Sequence, residues 1–266
     1  MMNTANSIGD QLRMWRQRRR LSQLELACDA DISARHVSFL ETGRSQPSRE
    51  MLLRLAERLA IPLRERNPLL LSAGFAPVYS ERRLDDPALQ QARKAVELVL
   101  AGHEPYPALA IDRHWSLVSA NAVVAPMLVG VAPKLLEPPM NVLRLGLHPE
   151  GLAPRVENFG EWRSHLLTRL RHQIDATADP VLVELLVELE SYPFAETGHH
   201  SDAYGGVVVP LRLRTDQGVL SFFSTTTVFG TPLDITLAEL AIESMFPADS
   251  QTAQMLASAA RGKTAL

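Results

Sequence analysis

Ten residues between positions 23 and 49 have the side chains and spacing to grip a duplex surface. Arg35 stands early in a short helical pattern, and a guanidinium can hold guanine O6 and N7 together. Ser33, Ala34, Ser38 and Phe39 surround it on the side that the apolar periodicity leaves outward. They can supply a hydrogen bond or a thymine-methyl contact, with His36 and Thr42 flanking them. Gln23, at the start of the preceding helix, and Arg44 and Arg49 beyond the pattern, suit phosphate oxygens. Two of these residues carry a second reading. His36 can lie beside the next helix instead of on DNA, and Phe39 can be a packing residue.

A pair of short capped helices must present these side chains. Ser22-Gln23-Leu24-Glu25 is a capping box, with Ser22 closing the helix start and Glu25 reaching back. Leu24, Ala27 and Cys28 are expected on one side of this helix, with Leu26 and Ala30 beside them. After a turn at Asp29–Ile32, Ser33 caps a third helix over Ala34–Thr42. Val37 and Leu40 face inward there, and Gly43 is a left-handed exit. A first helix from about Ser7 to Arg19 places Ile8, Leu12 and Trp15 at helical spacing. Its basic end, Arg13, Arg16, Arg18, Arg19 and Arg20, exceeds what dipole complementation needs, so some of it is expected near phosphates. Ser48 caps a fourth helix to about Leu59, and Pro62 opens a fifth that ends near Ala73-Gly74. Asn67-Pro68 should interrupt or restart that fifth helix.

The charge distribution agrees with a polyanion partner for this end of the chain. Residues 1–75 hold twelve Arg against eight Asp and Glu, while the remainder holds fifteen Lys and Arg against twenty-two acids. A basic head on an acidic body confines that partner to the head. The 46% hydrophobic and 21% charged content is ordinary for a globular chain and argues against disorder. No signal peptide or membrane span is expected, because the sequence has neither a cleavable apolar leader nor a long apolar run. The single cysteine, Cys28, reads as core and fits a reducing cytoplasm.

Beyond a linker at 76–90, a long helix is expected over Ala88–Ala101. Tyr106–Met127 then reads strand, turn, strand, short helix, and Asp112 with Asn121 looks like the opening of a PAS domain. Pro133–Pro139 reads as a loop. A helix from about Gly160 to Ala176 carries an apolar stripe at Trp162, Leu166, Leu170 and Ile174, and Val181–Glu190 is another helix. Val207–Arg214 and Val219–Thr227 form a hairpin around Asp216-Gln217-Gly218, with Pro210 at an edge or bulge. A capped helix is expected at about Thr236–Met245, and a fraying tail from Thr252. The elements give an N-terminal all-α five-helix domain followed by an α+β domain, and the resemblances named next imply that the first is a helix-turn-helix domain and the second PAS-like. The boundaries are 1–76 for the head, 77–104 for the linker and connecting helix, 105–253 for the body and 254–266 for a flexible tail.

Two resemblances bear on function. Gln23, Ala27, Ile32, Val37, Leu40, then Glu41-Thr42-Gly43-Arg44 and Pro47-Ser48, resemble the Cro/repressor, XRE-type helix-turn-helix. One position departs: Asp31 stands where that family has glycine in the turn, and Asp tolerates positive φ better than most residues. PALAIDRHWSLVSAN, NVLRLGLHPEGL, EWRSHLLTRLR and FGTPLDITLAELAIESMFPAD, together with Arg35–Glu41, resemble the MmyB-like regulators from Ile8 to about Ala253. That resemblance implies a PAS-like domain with an apolar small-molecule pocket and fatty-acid-like ligands. A homodimer on a palindromic double-stranded DNA operator is expected as well, since two-fold protein symmetry matches two half-sites. The expected ligand residues are Trp115, Val118, Met127, Leu128, Arg144, Leu145, Trp162, Leu166, Leu170, Phe222 and Phe229. The Trp162 stripe and the Phe222-Phe223 strand can equally be plain core. Arg144 can be a carboxylate's partner or half of a structural salt bridge.

Other chemistries find little support. His103, His114, His148, His165 and His172 show no metal-binding spacing, and the adjacent His199-His200 do not share a face in regular structure. There is no phosphate-binding glycine loop and no nucleophile elbow, so no catalytic residue, cofactor or metal is expected. An alternative keeps the DNA-binding head and makes the body a module that only dimerises or docks a protein.

Overall fold

The computed structural model describes residues 7–194 and 208–264; residues 1–6, His199, His200 and Val207 lie outside the described residues. Two compact units divide the described chain. One is built from the chain up to Arg82 with the short segments Asp175–Ala178 and Pro232–Ala238, and the other from the rest.

The first unit holds α1 (Ile8–Arg18), α2 (Gln23–Ala30), α3 (Ala34–Glu41), α4 (Arg49–Arg58) and α5 (Leu63–Ser72). A serine hydroxyl at Ser7, Ser22, Ser33 and Ser48 accepts a backbone N–H at the start of each of the first four, and Ser7–Asp10 and Ser22–Glu25 are full capping boxes. Ile8, Leu12, Trp15, Val37, Leu40, Leu52, Leu55 and Leu69 meet in one core. Asp31 adopts the left-handed conformation, φ 54°, ψ 50°, which the turn between α2 and α3 requires. Gly9 has no room for a side chain. A Cβ there would stand 2.6 Å from the carbonyl oxygens of both Leu40 and Glu41. Gly9→Ala should therefore push α1 off the end of α3 and lower the head's stability by about 1–3 kcal/mol in a thermal melt.

Three expectations change in this unit. The inward face of α2 is Leu26, Ala27 and Ala30, whereas Leu24 is 63% exposed and Cys28 is also exposed. The helix is rotated from the expected phase because Ala27 and Ala30 permit close approach of α3, so Cys28 is not core. Pro68 does not interrupt α5. The Asn67 side chain accepts from Val78 N (3.0 Å) and Tyr79 N (3.1 Å) and donates to Tyr79 O (2.7 Å), while Leu69 and Leu70 are buried. These anchors offset the one helical hydrogen bond that a proline removes.

In the second unit, α6 (Gln90–Gly102) leads into β1 (Ala108–Ile111) and β2 (Leu117–Ala120). Next come α7 (Val124–Met127), α8 (Pro133–Leu136), α9 (Val142–Leu147), α10 (Phe159–Thr177) and α11 (Pro180–Ser191). The hairpin β3 (Leu211–Thr215) and β4 (Gly218–Val228) follows. After α12 (Ile235–Ala238), which is grouped with the first unit, come β5 (Ala241–Pro247) and α13 (Ser250–Thr264). The five strands form one antiparallel sheet in the order β2-β1-β5-β4-β3, so Pro210 precedes an edge strand. Leu109 and Ile111 point to the core shared with Trp162, Leu166 and Leu170 of α10. Ala108, Ala110 and Ile242 alternate to a separate cluster with Val96 and Leu100 of α6.

Asp112 and Asn121 organise the first hairpin. Asp112 Oδ1 accepts from the N–H groups of His114 and Ser116, both at 2.8 Å. The turn holds Trp115 at φ 66°, a conformation that bulky residues rarely adopt. Asn121 is buried. Its Oδ1 accepts from Ala108 N (3.2 Å), and its Nδ2 donates to Leu100 O (3.2 Å) and Tyr106 O (2.8 Å). One amide thus ties the end of α6 to both strands.

Three more expectations change here. Residues 133–136 form a single helical turn inside the expected loop. The helix expected over Thr236–Met245 is a short turn at α12 followed by β5, which pairs with β1 on one side and β4 on the other. Leu, Ala and Glu favour a helix locally, but two full ladders of strand pairing override that propensity. The expected fraying tail is helical to Thr264. Thr252 is fully buried, its hydroxyl accepts from Ser221 N at 2.9 Å, and Leu256 joins the main core.

Candidate DNA interface and ligand cavity

The third helix turns one face out. Val37 and Leu40 are buried, while Arg35, Thr42, Arg44 and Arg49 are exposed and Ala34, Ser38 and Phe39 are half-buried. The Phe39 ring lies under two guanidiniums, Arg35 at 5.2 Å and Arg44 at 5.9 Å from its centroid. Phe39 therefore acts as a platform that limits where both arginines can reach. His36 Nε2 lies 3.3 Å from Met51 Sδ on α4. Ser33 and Thr42 are committed locally. Ser33 Oγ accepts from His36 N at 3.1 Å, and Thr42 Oγ1 donates to Ser38 O at 2.7 Å.

Behind this face sits Glu41, only 3% exposed. Its carboxylate accepts from Arg16 Nε (2.6 Å) and Nη2 (2.9 Å) and from Gln23 Nε2 (2.9 Å), and Arg13 lies at 3.5 Å. Burial alone would push this carboxyl up. The hydrogen bonds from Arg16 and Gln23 and the adjacent positive charge outweigh it and hold Glu41 below the usual carboxylate range. Arg16 is raised in turn, chiefly by its hydrogen bond to Glu41. The basic end of α1 is thus partly structural, since Arg19 also donates to Leu59 O (2.7 Å) and Ala60 O (2.7 Å). The spacing of the arginines gives no sign of this division of labour.

The second unit contains an apolar cavity between the sheet and its helices. Leu109 and Met245 contribute from the sheet, Leu145 and Gly146 from α9, and Trp162 and Leu166 from α10, with Val124 and Met127 at one side. The strained turn places the Trp115 ring in the wall, where its Nε1 donates to Gln173 Oε1 at 2.7 Å. The cavity offers about 110 Å³ to the centre of a water-sized sphere. A single water needs about 10–15 Å³ of such space, so there is room for a short chain of heavy atoms.

Six of the expected ligand residues line it: Trp115, Met127, Leu128, Leu145, Trp162 and Leu166. Leu170 and Phe222 belong to the surrounding core without reaching the wall. Val118 and Phe229 pack with the α6 cluster instead. Arg144 makes a two-pronged salt bridge to Glu188, at 2.8 and 2.7 Å, which is the structural alternative to a ligand contact. The charged residues on the wall are Arg169 and Glu243. Arg169 lies seven residues after Trp162 on the same face of α10, a signal the sequence does carry. Glu243 is hidden from the sequence because its strand has the composition of a helix.

A helical head with an outward recognition helix, joined to an α+β domain around an apolar cavity, defines a DNA-binding regulator with a sensor domain. Residues 92–259 match the MmyB-like transcription regulator ligand binding domain, and residues 7–69 match a helix-turn-helix domain. The first match spans more than half of the chain, and the chain belongs to the family of MmyB-like transcription regulators. No curated protein matches it. Among solved structures it is similar to the clp gene regulator ClgR from Corynebacterium glutamicum, with 26% identity over 38% of this chain and 94% of that one, at a TM-score of 0.23. It is also similar to an RNA-binding light-oxygen-voltage receptor, with 14% identity over 98% of this chain and 66% of that one, at a TM-score of 0.28. Neither likeness is close enough to bear on function. Among the described residues, no cluster of three or more His, Cys, Asp and Glu could hold a metal ion, and no helix is long and apolar enough to cross a membrane.

Proposed function

We propose that this chain reads a palindromic operator as a homodimer, through the Ser33–Thr42 segment, and that a fatty-acid-like or similar apolar molecule in the PAS-like second domain sets its state. The observation that carries the reading is the apolar cavity of the second domain in a chain whose α3 presents Arg35 outward. Two-fold protein symmetry matches two half-sites. Arg35 is the base reader, Ala34 and Ser38 lie beside it, and Arg44, Arg49 and Gln23 hold phosphates. Gln23 does so with one amide N–H already given to Glu41. For a ligand to switch the protein it must bind the two states unequally.

Operator sequences selected from random duplexes provide the test. Arg35→Ala should cost about 1–3 kcal/mol on the selected site and relax preference at one base position per half-site. Equal weakening on every sequence would reassign Arg35 to the phosphate backbone. Native mass spectrometry of the purified chain addresses the sensor. A co-purifying amphiphile supports sensing, whereas a clean protein whose melt ignores a panel of apolar ligands points to a domain that only dimerises or docks a partner.

A further inference from the structure

We infer that the cavity takes an amphiphile with an uncharged head that both donates and accepts hydrogen bonds, such as a primary amide or an alcohol, in preference to a carboxylate. The inference rests on the ligand-sensing reading: it keeps the apolar chain of a fatty-acid-like ligand and replaces the fatty acid's carboxylate by a neutral head.

The wall is apolar apart from Ser224, Arg169 and Glu243. Arg169 Nη2 donates to Glu243 Oε1 at 2.7 Å and Nη1 to Oε2 at 3.4 Å, and Nη2 also reaches Thr226 Oγ1 at 3.1 Å. Thr226 Oγ1 in turn donates to Glu243 Oε1 at 2.8 Å. The guanidinium lies over the Trp115 ring at 4.9 Å, which fixes it from the other side. The Glu243 side chain is 7% exposed.

The pair is neutral as a unit, and it is not saturated. These bonds use three of the five N–H groups of a guanidinium and three of the roughly four acceptor positions of a carboxylate. Donor capacity therefore remains on Arg169, whose side chain is 28% exposed, and acceptor capacity on Glu243, and both residues line the apolar space. An entering carboxylate that reached Arg169 would stand beside a second carboxylate, and like charges share a site poorly. Expelling Glu243 to make room would strand a buried charge. An ammonium head meets the same obstacle at Arg169. A neutral amide or hydroxyl meets both remaining groups and leaves the pair intact.

The experiment titrates the full chain by calorimetry with octanamide, n-octanol, octanoate and octylammonium at neutral pH. The emission of Trp115 and Trp162, both in the wall, reports occupancy. Octanamide and octanol should bind at least about tenfold more tightly than either charged homologue. Glu243→Gln should close or reverse the gap for octanoate, because the guanidinium then lacks its anion. The paired change Arg169→Leu with Glu243→Leu should abolish discrimination among heads, and it serves as well if the single variant does not fold. Octanoate binding as tightly as octanamide, or an unchanged ranking in the variants, overturns the head-group assignment and leaves the apolar-ligand reading standing. Binding by none of the four, with no change in emission, overturns both.

Discussion

Replacing Glu41 by alanine should destabilise the DNA-reading head by about 3–5 kcal/mol, the usual cost of removing one partner from a buried ion pair. The carboxylate is 3% exposed and gathers Arg16, Gln23 and Arg13 from two other helices. Its loss leaves the Arg16 guanidinium, whose side chain is 11% exposed, without its anion. A small domain shifts its Tm by about 4–8 °C per kcal/mol, so the head should melt well before the body. Hydrogen exchange of α1 and α3 amides would show it, and wild-type protection in those helices would refute the role given to Glu41. The pH dependence has a definite sign. The folded carboxyl lies below its ordinary value of 4.5, so its stabilisation is fully present above that value. It is lost as pH falls through the lower, folded value. Glu41→Gln keeps the shape, should cost less than alanine, and should flatten that acid limb.

Asn121→Ala should be the most damaging single polar change in the body. It leaves Ala108 N and Tyr106 O without their side-chain partner, while Leu100 O keeps a bond from His103 N at 3.3 Å. Each buried group left unpaired costs about 1–3 kcal/mol. Asn121→Asp should be at least as harmful at neutral pH, because an ionised carboxylate would face the two carbonyl oxygens and can donate to neither. In a Trp15→Phe background, which removes the one tryptophan of the head, Trp115 and Trp162 emission during urea unfolding reads the body. A midpoint within experimental error of wild type for both variants would mean that water replaces the amide without loss.

The head is legible in the sequence because its information is local. Four serine caps, the Ile8-Leu12-Trp15 spacing and the Gly43 exit each act within one or two helical turns. The α2 phase is not, since Leu24 and Leu26 are equally apolar and only the approach of α3 chooses between them. In the body, Asp112 and Asn121 mark the first hairpin correctly. The strand β5 escapes because its residues prefer a helix in isolation, and its identity lies in partners far away along the chain. With it goes Glu243, and so the polar point of the cavity. Arg144 draws attention as a lone cation, yet nothing short of tertiary structure shows Glu188 opposite it.

The place of β5 in the sheet also sets a timetable. Ala108 pairs with Ser244, and β1 and β4 have no direct ladder to one another without the strand between them. Long-range pairings of this kind close slowly. During synthesis at about 5–20 residues per second, the helices through Ser72 emerge roughly ten to thirty seconds before Pro247 does. For that interval a nascent chain carries the five helices of the reading head, without the later segments Asp175–Ala178 and Pro232–Ala238 that complete its unit, and an unfinished, ligand-blind body. Any occupancy of DNA in that window is set by the head alone.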